Sequence, residues 1–330
     1  MTISALFAPA APGAPADQDA QRIRRQYRTV FIVLAILLAL APFLAYRVFL
    51  MQVLCFALFG LSFNMLLGYG GLLSFGHAAF FGLASYVSAY AARYSGFSPE
   101  LAILSGTVSA AALGAVFGTI AIRRQGIYFA MITLALAQLL YFVSVQAPDI
   151  TGGENGIQGV PRGKLFGVLD LADDRVLYAV VAVIFMAGLL FVYRVVHSPF
   201  GQIGKAIRDN EARATSLGYR ARNYQVLLFT LSAALAGLAG ATKAIVFQLA
   251  SLTDVHWSTS GEVVLITLVG GLGTMFGPVV GAVIVVAMQN YLASFGAWTT
   301  VAQGVIFMLC VSFMRGGLVG LLQKWTGRNL

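Results

Sequence analysis

The stretch "SPFGQIGKAIRDNEARATSLGYRARNYQ", residues 198–225, is the polar exception in a chain that is 59% apolar. It holds Lys205, Arg208, Arg213, Arg220 and Arg222 against only Asp209 and Glu211, with long apolar runs on either side. Three hundred and thirty residues would ordinarily make about two soluble domains, but 10% charged residues and a mean hydropathy of +0.84 cannot coat such domains with polar surface. The quoted segment is therefore read as a loop between membrane spans, and the fold class as an all-α polytopic integral membrane protein.

The net charge of +9 does not indicate a nucleic-acid partner, because the bases cluster at the ends of apolar runs, where they set topology in a membrane. Cys55 and Cys310 both lie inside such runs and read as small buried hydrophobes. His77, His197 and His256 have no ligand spacing, so no metal and no cofactor is expected. No G-x-x-x-x-G-K-[ST] stretch is present, and "GLGTMFG" has the wrong spacing for a dinucleotide loop, so the chain is not expected to be an enzyme.

A helix needs about 20 residues to cross roughly 30 Å of hydrocarbon. Apolar runs of that kind cover 29–46, 48–67, 72–92, 100–122, 126–146, 176–196, 224–250 and 300–321, and a longer one covers 262–294. The expectation is about nine or ten transmembrane or re-entrant helices. Residues 1–28 read as a disordered, basic, cytoplasmic tail, 29–322 as the membrane domain, and 323–330 as a cytoplasmic tail. The bases place 197–223 inside and 147–175 outside. The long run contains "GGLGTMFGP", 270–278, and Pro278 with four glycines before it predicts a helix break. "GGLLSFGHAAFFG", 70–82, echoes "GGLGTMFGPVVG", 270–281; either small residues simply recur, or the chain has two related halves whose broken helices meet.

Glycines and alanines recur every four residues at 114 and 118, at 233, 237 and 241, and at 273, 277 and 281, the spacing that lets membrane helices approach closely. In the opening segment, Ile203, Ile207, Asn210, Ala214 and Leu217 fall on one face of a helix over 201–217. Asp209 and Arg213 form an i,i+4 pair, Ser198-Pro199 opens the segment and Gly218 closes it. Such a helix either rests on lipid headgroups or docks a cytoplasmic partner.

Four motifs, "LGYGGLLSFGHAAFFGLASYVSAY" (67–90), "TGGENGIQGVP" (151–161), "GQIGKAIRDNEARATSLGY" (201–219) and "VGGLGTMFGPVVGAVI" (269–284), resemble, in order, the LivM-type permeases of branched-chain amino-acid ABC importers. The resemblance spans about 30–321. It implies a bacterial inner-membrane protein working with a second, LivH-like permease, two cytoplasmic ATPase subunits and a periplasmic binding protein. It also implies that 201–218 touches the ATPase, with Gly201, Lys205, Arg208, Asp209, Asn210, Glu211, Arg213 and Gly218 as the coupling residues. Here the glycine follows Glu211 by seven positions, where the family pattern has six. Leu72 or Leu73 stands where such permeases have a glutamine.

Polar residues within spans mark pathways or structural joints. Asn64, Ser74, Gly76 and His77, with Gly271, Gly273 and Gly277, are the candidates to line a translocation pathway, for which helix ends and backbone dipoles suffice. The competing role for His77 is a neutral imidazole bonded to the backbone of a neighbouring helix. Lys243 stands alone in its run, facing an interface, lipid headgroups or a permeant carboxylate, and Glu262 is placed to cap a helix. Urea, short amides or aromatic acids are alternative cargoes. An ion-coupled transporter is disfavoured because every acidic residue falls in a loop, the tail or a helix end.

Overall fold

The computed structural model describes residues 15–292, 296, 298–313 and 317–320. Helix α1 (Pro15–Leu44) forms a unit of its own. It begins well upstream of the first apolar run, so the backbone from Pro15 onward is helical where a tail without periodicity was expected. The C-terminal tail, 323–330, lies outside the described residues.

The second unit begins with α2 (Arg47–Asn64), which ends in a π turn at Met65–Tyr69. After a non-helical passage come α3 (His77–Arg93), α4 (Pro99–Ala121), α5 (Ile127–Gln146) and the single turn α6 (Pro148–Thr151). Next are α7 (Asp174–His197), α8 (Pro199–Asp209), α9 (Glu211–Ser216) and α10 (Ala221–Phe247). The chain closes with α11 (Leu252–Val255), α12 (Trp257–Gly270), α13 (Gly277–Leu292) and α14 (Trp298–Phe313). Five helices among the described residues are long and apolar enough to cross a membrane: α2 with its π turn, α4, α5, α7 and α10. The architecture is that of an all-α, multi-pass membrane protein. Its only strands among the described residues are two-residue ladders, β1 (Ile157–Gln158) with β4 (Leu249–Ala250) and β2 (Lys164–Leu165) with β3 (Leu169–Asp170).

The core forms around α2, whose residues from Val53 to Asn64 are all buried. The tightest pairing is α4 against α10, and its cause is side-chain size. A Cβ on Gly106 would come within 2.9 Å of the Ala241 methyl, Gly237 admits only the Ala110 methyl, and Gly114 only that of Ala233. Each partner sum is constant along the pair, so the two helices run antiparallel with small residues meshed at every turn. The four-residue spacing read from the sequence is this ladder. Close approach replaces the hydrophobic drive that lipid does not supply. The stripe at 273, 277 and 281 is different: Gly273 has φ +74° and lies outside the helix, leaving Gly277 and Gly281 to face α12.

The run 262–294 is broken. Helix α12 ends at Gly270, α13 begins at Gly277, and the two lie side by side, since a Cβ on Gly270 would meet Gly277 and one on Gly281 would meet Ile266. This is a helical hairpin, with arms of about 21 and 24 Å at 1.5 Å per residue.

The loops gather at two ends. Pro99, at the start of α4, lies against Gly163, and Arg93 donates to the Gln158 carbonyl. At the far end of α4, Arg222 Nη2 donates to the Thr119 carbonyl at 3.1 Å. The 147–175 segment and the basic 198–223 segment therefore occupy opposite ends of the bundle.

Replacing Gly237 by Val forces a side chain into the α4–α10 ladder and is expected to cost about 1–3 kcal/mol. Gly204→Ala, where a Cβ meets nothing within 4 Å, is expected to be neutral or slightly stabilising. Thermal unfolding of the purified protein in detergent reads both changes.

Candidate functional site

The two glycine-rich passages, 70–76 and 271–276, are built alike. Each opens at Gly-Gly-Leu with its second glycine in the positive-φ region, +71° at Gly71 and +130° at Gly271. Each closes at a Phe-Gly pair where a helix resumes. Each also supplies its own hydroxyl to that new helix: Gly76 N–H donates to Ser74 Oγ at 3.2 Å, and Gly277 N–H to Thr274 Oγ1 at 3.1 Å. Thr274 Oγ1 in turn donates to the Gly271 carbonyl at 2.7 Å.

Asn64 joins the two passages. Its Nδ2 donates to the Thr274 carbonyl at 2.8 Å, and its Oδ1 accepts from Gly273 N–H at 2.9 Å. Contact is close because Gly68, one turn on, has no side chain: a Cβ there would sit 2.8 Å from Gly273 N. Asn64 is fully buried, whereas Gly71, Leu73 and Gly273 are exposed, so the junction runs from the core to the surface.

Other helices satisfy the rest of the first passage. Phe75 N–H donates to Thr133 Oγ1 of α5 at 3.1 Å, and Ala78 N–H to Ser260 Oγ of α12 at 2.9 Å. His77 does not join Asn64. Its Nε2 lies 2.9 Å from Ser232 Oγ, which itself donates to the Ser62 carbonyl at 2.6 Å, so the imidazole nitrogen is the donor. Phe63, Phe80 and Phe229 surround the ring with their edges or faces at centroid distances of 5.0, 6.0 and 6.4 Å. This arrangement ties α3 to α10, with a serine hydroxyl as partner where the structural alternative for His77 had the backbone of a neighbouring helix. Thr133, Ser232, Ser260 and Thr274 are the residues that reading for charge and glycine missed. Their signal was a hydroxyl recurring opposite glycine-rich passages.

The basic segment differs from a single amphipathic helix. Asn210, with φ −159°, stops α8, and its Oδ1 accepts from Arg213 N–H at 2.9 Å to start α9. An asparagine side chain competes with the helix for the same backbone donors, which is why it appears at a cap and not on the apolar face. Ile207 and Ala214 pack with Ala221, flanked by Ile203 and Tyr224, while Leu217 is 71% exposed. Asp209 pairs with Arg208, not Arg213. Glu211 accepts from Gln125 Nε2 at 2.6 Å and Gln225 Nε2 at 3.4 Å. The ends are as read: Ser198 Oγ caps α8 through Gly201 N–H at 3.2 Å, and Gly218, at φ +91°, closes α9. Gly218 N–H donates to Thr215 O and Tyr219 N–H to Ala214 O, the paired bonds of a glycine-terminated helix. Lys205 lies over the Tyr69 ring at 5.3 Å, and burial, then the neighbouring Arg208 charge, hold it below the usual lysine range.

Two further charged residues find partners. Lys243 is not alone: it bonds Asp254 of α11, which is buried while Lys243 is partly so. A pair of this kind is retained because removing one partner strands the other charge in low dielectric. Glu262 lies in the second turn of α12, whose start is capped by His256 through Ser258 N–H at 3.3 Å, so the capping role expected of Glu262 belongs to His256. Among the described residues no cluster of His, Cys, Asp and Glu fits a metal ion.

Asn64→Leu keeps the branched shape of the side chain but leaves Gly273 N–H and Thr274 C=O without their partner. The expected loss is about 1–3 kcal/mol of stability, with membrane insertion retained. Thermal unfolding of the purified protein reads the change.

Comparison with known proteins follows the same pattern. The chain is 27% identical over 328 residues to the high-affinity branched-chain amino acid transport system permease protein LivM of Escherichia coli, covering 91% of this chain and 74% of that protein. Its Salmonella typhimurium counterpart is 28% identical over 299 residues, covering 83% and 67%. The inner membrane ABC transporter permease protein YjfF of E. coli is 30% identical over 248 residues, covering 71% of each. No solved structure matches the chain. The family profile described as branched-chain amino acid transport system / permease component matches residues 45–314, and the chain belongs to that family.

Proposed function

We propose that this chain is one of two membrane subunits of an ATP-driven importer, that it forms part of the translocation pathway, and that its cargo is a branched-chain or related amino acid. The observation that carries this reading is the basic helix pair α8–α9, whose α8 packs directly against the first glycine-rich passage while α9 packs on the start of α10, within a family of transport permeases. In this reading 201–218 meets one of two cytoplasmic ATPase subunits through Lys205, Asp209, Asn210, Arg213 and Gly218, while Gly201, buried against the end of α7, seats the start of α8 and Glu211 holds α9 to Gln125 and Gln225. A second, LivH-like permease completes the pathway, and a periplasmic binding protein delivers cargo to the end that carries 147–175.

The chain is read as about nine or ten transmembrane or re-entrant segments in two related halves. The matching construction of 70–76 and 271–276 supports that reading. Asn64, Ser74, Gly76, Gly271, Gly273 and Gly277 border the pathway, and His77 supports it from the adjoining helix.

Urea, short amides and aromatic acids remain the alternative cargo, favoured by one observation: Leu72 or Leu73 stands where the family pattern carries an amide, and Leu73 is 37% exposed beside the junction. A pathway lined by backbone and leucine grips no zwitterion, so choice of cargo falls to the binding protein. In vesicles containing the whole complex, exchanging the binding protein for a related one of different specificity is expected to change the transported cargo. Refusal of the new cargo while ATP hydrolysis is still stimulated would assign selectivity to the permease.

The orientation has its own test. A membrane-impermeant thiol reagent added to intact cells is expected to label Val168→Cys, at an 82% exposed position, and to miss Arg220→Cys. Labelling of position 220 from outside would reverse the orientation.

A further inference from the structure

Arg208, whose side chain is 37% exposed, reaches from the surface of α8 to the π turn. Its Nη1 donates to the Gly68 carbonyl at 2.6 Å, while Nε and Nη2 donate to Asp209 Oδ1 at 2.9 and 2.8 Å. Gly68 lies in the last turn of its helix, where carbonyls have no donor ahead of them within the helix. The Arg208 stem lies across Gly71, where an added Cβ would be 3.3 Å from Cδ and 3.4 Å from Cβ of the arginine. One turn earlier on α8, Lys205 covers the Tyr69 ring. Both basic side chains of α8 thus hold the π turn Met65–Tyr69 and the glycine that follows it.

The opposite face of that turn holds the hairpin. Gly68 abuts Gly273, and Asn64 binds the backbone at 273 and 274. The turn therefore stands between α8 and the 271–276 passage, touching both. A π turn contains one residue more than an α-helical turn, and π turns recur at functional sites. Closing it to α geometry would rotate everything beyond it by about 100°, so the π turn and the α turn are two distinct geometries for this segment, of which the π turn is the one seen.

We propose that the Met65–Tyr69 π turn transmits motion of α8 to the 271–276 passage, and that Arg208 is the positioning residue fastening α8 to that turn, not part of the surface that meets the ATPase. This rests on the coupling role proposed above for 201–218. Wild-type permease that failed to retain ATPase at all would defeat that role, whereas the comparison below isolates Arg208.

The test uses the complete complex in vesicles, with Arg208→Met and Arg208→Lys beside wild type. Methionine keeps the stem over Gly71 and loses the donor; lysine keeps one donor within reach of the Gly68 carbonyl. With Arg208→Met, ATPase is expected to co-purify at the wild-type ratio while substrate moved per ATP falls about tenfold or more. Arg208→Lys is expected to recover at least half of the wild-type ratio. Equal coupling in the two variants, unchanged coupling in Arg208→Met, or loss of ATPase from either variant would overturn the proposal. A measurement on wild type stands apart from the folding of any variant. Hydrogen exchange of peptides covering 65–72 is expected to change when ATP is trapped in the ATPase subunits, together with that of peptides covering 271–276. An unchanged 65–72 would equally overturn the proposal.

Discussion

A backbone amide that leaves its helix inside an apolar bundle has no water to turn to, and each such group must be met by another part of the protein. Two passages of this chain, 70–76 and 271–276, leave their helices, and much of the rest is arranged to meet them. Asn64 supplies both a donor and an acceptor to the second passage. Thr133 and Ser260 supply the first from two different helices. Ser74 and Thr274 each serve the amide that begins the next helix. Few formal charges take part, which suits an interior where an ion without a partner is costly and a hydroxyl or amide is not.

The bundle divides its work between two kinds of contact. The α4–α10 ladder is made of methyls and glycines, so its strength is close packing and it holds the two helices at a fixed separation. The joints at Asn64, Ser232 and Arg208 are directional bonds between elements far apart in sequence. A packed face of small groups resists separation, whereas a hydrogen bond at a helix break can be exchanged for another. The parts suited to movement are therefore the breaks, and the parts suited to bearing against them are the ladder helices.

Much of this was legible in the sequence because lipid restricts the alternatives so strongly. Composition alone excludes a soluble fold, apolar runs locate α2, α4, α5, α7 and α10 to within a few residues, and Pro278 with its glycines marks the hairpin break. What escaped was pairing. Lys243 and Asp254 stand 11 residues apart across a helix end, and a span-by-span reading set one inside and the other in a loop. Asn210 fits the apolar spacing of its neighbours, but a side chain that can cap does so, and periodicity carries no record of that competition. The inward course of Arg208 was hidden for the same reason: a guanidinium in a basic loop reads as solvated until the carbonyl it reaches is known.

The bond between Gly273 and Asn64 closes over 209 residues. Ribosomes deliver a chain from its N-terminus, so α2 and the first passage enter the bilayer long before their partner has been synthesised. During that interval the Asn64 amide and the carbonyls beside it must be sheltered by the insertion machinery, by lipid-associated water or by one another. A chain cut short anywhere before Gly273 keeps that amide exposed in the membrane. Completion of the polypeptide is thus written into the junction itself, as a polar mark that only the last third of the protein can erase.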